Sequence, residues 1–260
     1  MTERRIESGE NAQIKAAKKL LEKKGRDRAG AFLIEGKRLV EDALRLGAQV
    51  TALFAADGAD VPQGVSCDVF RLPERLFATL KTTVNSQGIL GVVKNLDRPI
   101  TPSSFENLSF AVYLDCVSDP GNLGTIIRTA DAAGAEAVVL SKGCVDLYNP
   151  KVARATMASL FAVPVYREQT YGEGLETLLN AGFDAVAGSL EATESCFDAD
   201  LTGKCAIVVG NEANGVSDAV LARCDRKVII PMRGGAESLN AAVACGVLMY
   251  EYVRQNRKMR

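Results

Sequence analysis

The sequence predicts an α/β protein in two parts, a small N-terminal layer structure and a larger C-terminal domain on a parallel sheet. Three observations carry this expectation. Short apolar runs alternate with helical stretches along the whole 260-residue chain. Beyond residue 110 those runs are continuously apolar, the pattern of strands covered on both faces. Between the two regions, residues 95–109 lapse into Asn, Asp, Pro and Ser, with Arg98-Pro99 and Thr101-Pro102, which is linker composition. The expected division is therefore 1–94, a linker over 95–109, and 110–260.

In the first part, residues 11–24 read as a helix, with Ile14, Ala17, Leu20 and Leu21 on one face and Lys15, Lys18, Lys19 and Lys23 elsewhere. A second helix is expected over 35–46, stopped by Gly47. Strands follow at 50–55, 67–72 and 88–93, with a short helix near 73–80. In the second part, strands are expected at 110–115, 137–140, 183–188, 206–210 and 227–230. A last helix over about 239–254 runs into a basic tail of Arg254, Arg257, Lys258 and Arg260.

Composition narrows the chemistry. There is no histidine, which excludes His-ligated metal, a Ser-His-Asp triad and an imidazole base. The seven cysteines are scattered with no C-x-x-C pair, so small core residues are expected and no metal site. No apolar run approaches the roughly 18 residues of a membrane span, and the polar opening does not resemble a signal peptide, so a reducing cytoplasm is expected. The net charge of −1 hides an uneven distribution. The first thirty residues hold nine Lys or Arg against five acids, while 172–200 holds seven acids and no base. A basic N-terminal helix is either a solvated face or a phosphate-contacting one.

Three loops after strands look too specific for turn duty, at the strand ends where open α/β sheets place ligands. The first runs Asp115-Cys116-Val117-Ser118-Asp119-Pro120-Gly121-Asn122-Leu123-Gly124 and carries Arg128 further along its helix. Asn122 is either a helix cap or a site residue, and Arg128 either a surface charge or a phosphate fork. The second, Gly210-Asn211-Glu212-Ala213-Asn214-Gly215, is a tight turn with a solvated Glu212 or a backbone cradle. The third runs from Ile230-Pro231-Met232 to Ser238-Leu239-Asn240, where Ser238 alone would serve as the helix N-cap.

Together these loops resemble the three motifs of the SpoU (TrmH-like) class of SPOUT RNA methyltransferases. Asn122, Gly124 and Arg128 match N-x-G-x-x-x-R; Gly210, Asn211, Glu212 and Gly215 match G-N-E-x-x-G; Ile230, Pro231, Met232, Ser238, Leu239 and Asn240 match I-P-M…S-L-N. The run Phe32-Leu33-Ile34-Glu35-Gly36-Lys37-Arg38-Leu39-Val40 looks like the F-x-x-E-G-x-x-L-V signature of the substrate-binding domain of ribosomal-RNA members. Two departures are visible: Ala241-Ala242 stands where Val-Ser is common, and Ala213-Asn214 differs from the usual loop.

The resemblance implies a SPOUT parallel-sheet domain with a deep trefoil knot, preceded by a small α/β RNA-binding domain similar to a ribosomal-protein fold. It implies a homodimer and an S-adenosylmethionine-dependent methylation of a ribose 2′-hydroxyl, in large-subunit ribosomal RNA. Gly210, Ile230, Leu239 and Met232 would hold the donor, with Ser189 and Leu190 as a further wall. Arg128 would fix a phosphate and reach a site completed by the partner protomer. Asn122, Ser238 and Asn240 would position the ribose, and Glu212 would orient Arg128 or the donor loop. Lys15, Lys18, Lys19, Lys37 and Arg38 would contact RNA phosphates, recognising shape more than sequence. The rival readings are a transfer-RNA ribose methyltransferase and a non-catalytic RNA-binding protein that keeps the fold.

Overall fold

The computed structural model describes residues 2–256; Arg257, Lys258 and Arg260 of the basic tail lie outside the described residues. The chain divides into two units. One takes the chain up to Leu96 together with Asp146–Ala162, the other Asp97–Val145 and the chain from Val163 onward.

Up to Leu96 the elements are β1 (Glu3–Arg5), α1 (Ala12–Lys19), α2 (Lys23–Ala29), β2 (Ala31–Glu35), α3 (Lys37–Arg45), β3 (Val50–Ala56), β4 (Asp68–Leu72), α4 (Glu74–Phe77) and β5 (Ile89–Lys94). From there to Val145 come β6 (Phe110–Leu114), α5 (Pro120–Ala133) and β7 (Ala137–Leu140). The segment that joins the first unit carries α6 (Pro150–Ala155) and α7 (Ser159–Ala162). The remainder holds β8 (Val165–Arg167), α8 (Glu173–Asn180), β9 (Asp184–Gly188), β10 (Glu194–Ser195), β11 (Cys205–Val209), α9 (Asp218–Leu221), β12 (Arg226–Ile229) and α10 (Ala241–Gln255).

The first unit is a five-stranded sheet in the order β1-β4-β3-β5-β2, with β5 antiparallel to both neighbours. The helix expected over 11–24 is two helices. The chain folds back after Leu20 so closely that a Cβ on Gly25 would sit 1.8 Å from the Lys19 carbonyl oxygen, a spacing only glycine permits. The helix expected from residue 35 starts at Lys37, because Phe32–Glu35 is strand backbone paired with β5, and Gly36 (φ 112°) makes the turn between them. Gly47 ends it with a left-handed φ of 79°. The segment after Asp146 is tied in by long-range pairs. Tyr148 stacks on Phe32 at 4.6 Å, and its hydroxyl oxygen accepts from the Leu96 amide at 2.7 Å. Arg26, buried, meets Asp146 at 2.5 Å and donates to the Leu20 and Leu21 carbonyls.

The second unit is a seven-stranded sheet in the order β10-β12-β9-β11-β6-β7-β8. Every pairing in it is parallel, as the continuously apolar strands predict. The stretch of linker composition is packed down: Phe105 is fully buried, and Ile100 and Leu108 join the same core. From β11 the chain crosses to β12 on the far side of β9, then returns as α10 against β11, β9 and α5. That path brings the ends of β9, β11 and β12 to one cleft.

Candidate active site

The first loop begins with Cys116 in a left-handed conformation (φ 56°), which a non-glycine residue adopts only when its surroundings hold it. Here the Cys116 amide donates to Ser141 Oγ at 2.8 Å and its carbonyl accepts from Asn211 Nδ2 at 2.9 Å. The helix that follows is capped by Asp119, which accepts from the Asn122 amide at 2.8 Å. Asn122 is thus not the cap, and its side chain is available for other work.

The second loop is closed on itself. The Asn211 and Gly215 backbones exchange two hydrogen bonds of 2.9 Å, and Asn211 Oδ1 accepts from the Ala213 and Asn214 amides. A Cβ on Gly210 would lie 2.1 Å from the Gly215 carbonyl carbon and oxygen, so the loop closes only over glycine. Below it, buried Asp115 accepts from the Ser217 amide (2.8 Å) and from the Tyr171 hydroxyl (2.7 Å), anchoring the loop's exit to the end of β6.

The third loop leads into α10, whose N-cap is Asn240 rather than Ser238. Asn240 Oδ1 accepts from the Ala242 and Val243 amides at 2.9 and 3.3 Å. Both residue types can cap, but Asn240 stands next to the first helical residue and also has an amide nitrogen to spend.

That nitrogen joins the three loops. Asn240 Nδ2 donates to Asn122 Oδ1 at 2.9 Å, and Asn122 Nδ2 donates to Glu212 Oε1 at 3.0 Å. The order is self-consistent: the cap fixes which Asn240 atom accepts, which fixes both amides after it. Glu212 also accepts from the Asp119 amide (3.1 Å), the Ser118 amide (3.1 Å) and the Ser118 hydroxyl (2.8 Å). Burial alone would push this carboxyl up, yet the bonds from Asn122 and Ser118 outweigh it and hold it at about 2. Glu212 therefore organises the first loop; among the described residues it makes no hydrogen bond to Arg128 of its own chain.

A cleft of about 390 Å³ opens beside this chain of bonds. Gly210, Ile230, Met232 and Leu239 line it, and so do Ser189 and Leu190 after β9, together with Glu212 and Ser238. Asn122 and Asn240 do not line the cleft but hold its edge through Glu212. Arg128 lies apart. Six residues beyond Asn122 on α5, it is displaced by about 9 Å along the axis and turned about 120° around it. It is exposed, with no ion pair among the described residues. The expected phosphate contacts fall on two helices of the first unit: Lys15 is paired with Glu10 at 2.5 Å and Lys37 with Asp60, while Lys18, Lys19 and Arg38 are exposed. The residues missed by the sequence reading are Asp115, Tyr171 and Ser217. Asp115 could have been found from its place at the strand end; Tyr171 carries no local signal.

Comparison with known proteins agrees with this geometry. Residues 109–250 match the SpoU rRNA Methylase family and residues 11–91 the MRM3-like substrate binding domain. The chain is 36% identical to the 23S rRNA (guanosine(2553)-2′-O)-methyltransferase RlmP of Bacillus subtilis (strain 168), covering 95% of this chain and 98% of that one. It is 34% identical to the 23S rRNA (uridine(2479)-2′-O)-methyltransferase of Streptomyces viridochromogenes, covering 97% and 92%. The AdoMet-bound rRNA methyltransferase from Sinorhizobium meliloti superposes with a TM-score of 0.87 at 31% identity, over 98% of this chain and 99% of that one. With both of its parts matched and its three loops joined as one site, the chain belongs to the SpoU rRNA methylase family.

Proposed function

We propose that this protein methylates a ribose 2′-hydroxyl of large-subunit ribosomal RNA, using S-adenosylmethionine, in the cytoplasm and as a homodimer with a knotted C-terminal domain. The observation that carries the reading is the run Glu212–Asn122–Asn240, which ties three loops into one edge of one cleft. When bound, the donor would supply an electrophilic methyl on its sulfonium sulfur, which the 2′-oxygen would take as the neutral thioether leaves and the hydroxyl proton passes to solvent water.

The cleft suits such a donor. Its volume of about 390 Å³ lies within the usual range for small-molecule sites. Ile230, Met232, Leu239 and Leu190 offer apolar walls for a flat ring, and the closed backbone at Gly210 offers amides and carbonyls for polar groups. Asn122, Ser238 and Asn240 position the ribose, and Arg128, free of carboxylates on its own chain among the described residues, reaches RNA or the partner's cleft. The dimer is supported by Val243 and Tyr250, 53% and 51% exposed and seven residues apart on one face of α10. Lys15, Lys18, Lys19, Lys37 and Arg38 add phosphate contacts in the first unit. Ribosomal over transfer RNA is supported by the match of residues 11–91 to a substrate-binding domain whose relatives act on ribosomal RNA. The test maps ribose methylation in total RNA from a strain lacking the gene. Loss of one ribosomal 2′-O-methyl, restored by the native chain, is expected; an intact ribosomal map with a lost transfer-RNA methyl would overturn the substrate.

A further inference from the structure

We infer that a second cleft, within the first unit, binds one unstacked nucleotide of the RNA, and that Arg154 and Met157 are part of it. The inference rests on the RNA reading above and adds residues to it. Both lie in the stretch matched by the methylase family, not in residues 11–91, yet the chain packs them into the first unit.

The cleft holds about 280 Å³, at the small end of ligand sites and fit for one planar base but not a duplex strand. Arg38 on the first turn of α3 and Arg154 on α6 both line it, and neither has an ion-pair partner among the described residues. Among the described residues Arg154 makes a single long bond, 3.4 Å to Thr82 Oγ1. The two acids at the cleft are already committed. Glu35 accepts from the Thr82 amide and hydroxyl at 2.7 Å each and from the Thr83 hydroxyl. Asp42 is paired with Arg45 at 2.7 Å. Two open guanidiniums therefore face a pocket in which Asp42 is paired and the Glu35 carboxylate, still charged, is turned to hydroxyl and amide donors rather than to either arginine.

The remaining walls suit a base. Leu39 and Met157 are apolar, and Met157 is 45% exposed and held at a left-handed φ of 54°. Gln87 Oε1 accepts from the Lys37 amide at 2.9 Å, which leaves its amide nitrogen to donate elsewhere, and Asn85 is exposed beside it. Guanidinium planes and apolar side chains take a base face, amides read its edge, and a guanidinium fork holds its phosphate. An acidic peptide would use the arginines and leave the amides and apolar wall idle. The cleft thus reads a nucleotide splayed from the RNA, beyond the shape recognition the sequence suggests.

The experiment uses the full chain and an in vitro transcript of large-subunit ribosomal RNA. Arg154→Ala is expected to raise the KM for RNA about tenfold, with kcat at saturating RNA and the Kd for S-adenosylmethionine unchanged. Arg154→Lys is expected to be equally weak, since a point charge neither stacks nor forks. Met157→Ala, which alters no charge, is expected to raise KM about threefold without changing the salt slope of RNA binding. With 4-thiouridine in the transcript, photocrosslinks are expected on the peptide holding Arg154 and Met157. Full activity of Arg154→Lys, or crosslinks absent from that peptide while methylation proceeds, would overturn the inference. A native chain that binds the donor but neither binds nor methylates the transcript would defeat the RNA reading itself.

Discussion

Replacing Glu212 by Gln tests whether its carboxylate organises the site. Its oxygens share five bonds: Oε1 accepts from the Asp119 amide and Asn122 Nδ2, Oε2 from the Ser118 amide and hydroxyl and, at 3.5 Å, from Asn211 Nδ2. A glutamine keeps one oxygen and turns an amide nitrogen towards the donors of the other, so at least two short bonds are lost whichever way it faces. At about 1 kcal/mol each, reduced by solvent at an exposed site, the change is about 1–2 kcal/mol, or roughly 5- to 30-fold. The loss falls on the first loop and on Asn122. Calorimetry should therefore show weaker S-adenosylmethionine binding, and single-turnover methyl transfer should slow by a similar factor. The pH sign follows from the depressed carboxyl. Its stabilisation is complete above the ordinary value of 4.5 and is lost as pH falls through about 2. The native site should hence keep its donor affinity through mild acid, while Glu212→Gln is weak at every pH. A Glu212→Gln variant within twofold of native in both binding and turnover would refute the organising role.

Two further substitutions separate packing from chemistry. Asn240→Asp keeps the acceptor that caps α10 but cannot donate to Asn122, so the melting temperature should hold while methyl transfer falls. Asn240→Ala should lose both, with about 1 kcal/mol of cap energy, read as a few degrees in thermal unfolding. Gly210→Ala places a Cβ 2.1 Å from the Gly215 backbone, so the second loop must open; donor affinity should drop at least tenfold in calorimetry, with the loop, not the sheet, disturbed.

The strands of the second unit are legible because burial on both faces leaves a continuous apolar run, and all five expected there exist. The missed strands, β1, β2, β8 and β10, lie at sheet edges or are two to five residues long. β2 is further hidden because its last residue, Glu35, also fits the helical pattern that follows. The three loops are legible from their Gly and Asn content, since closures such as Gly210 against Gly215 leave few residue choices. Their connection is not. Which amide faces which follows from the cap at Asn240, and local sequence offers Ser238 as an equally good cap. The Asp146–Ala162 segment has no composition shift to mark it. Its membership depends on Tyr148 meeting Phe32 and Asp146 meeting Arg26, pairs more than one hundred residues apart.

The geometry also constrains how the ribose proton leaves. A general base works best with a pKa near the working pH, and the chain has no histidine. Around the three loops, Glu212, Tyr171 and Cys116 are moved away from neutrality. Glu212 is held near 2 by its donors, too weak a base to take a hydroxyl proton. Burial pushes the Tyr171 hydroxyl up to about 12 and raises the Cys116 thiol, so neither is an available anion. A guanidinium is a poor acceptor at any ordinary pH. These groups are better suited to holding than to titrating. On the proposed reaction, the rate then depends on alignment of the 2′-oxygen with the methyl carbon and on a good leaving group, with charge eased by fixed donors. The pH profile of single-turnover methyl transfer should show no acid limb from Glu212 between pH 5 and 7. A limb there would require an ionising group other than Glu212.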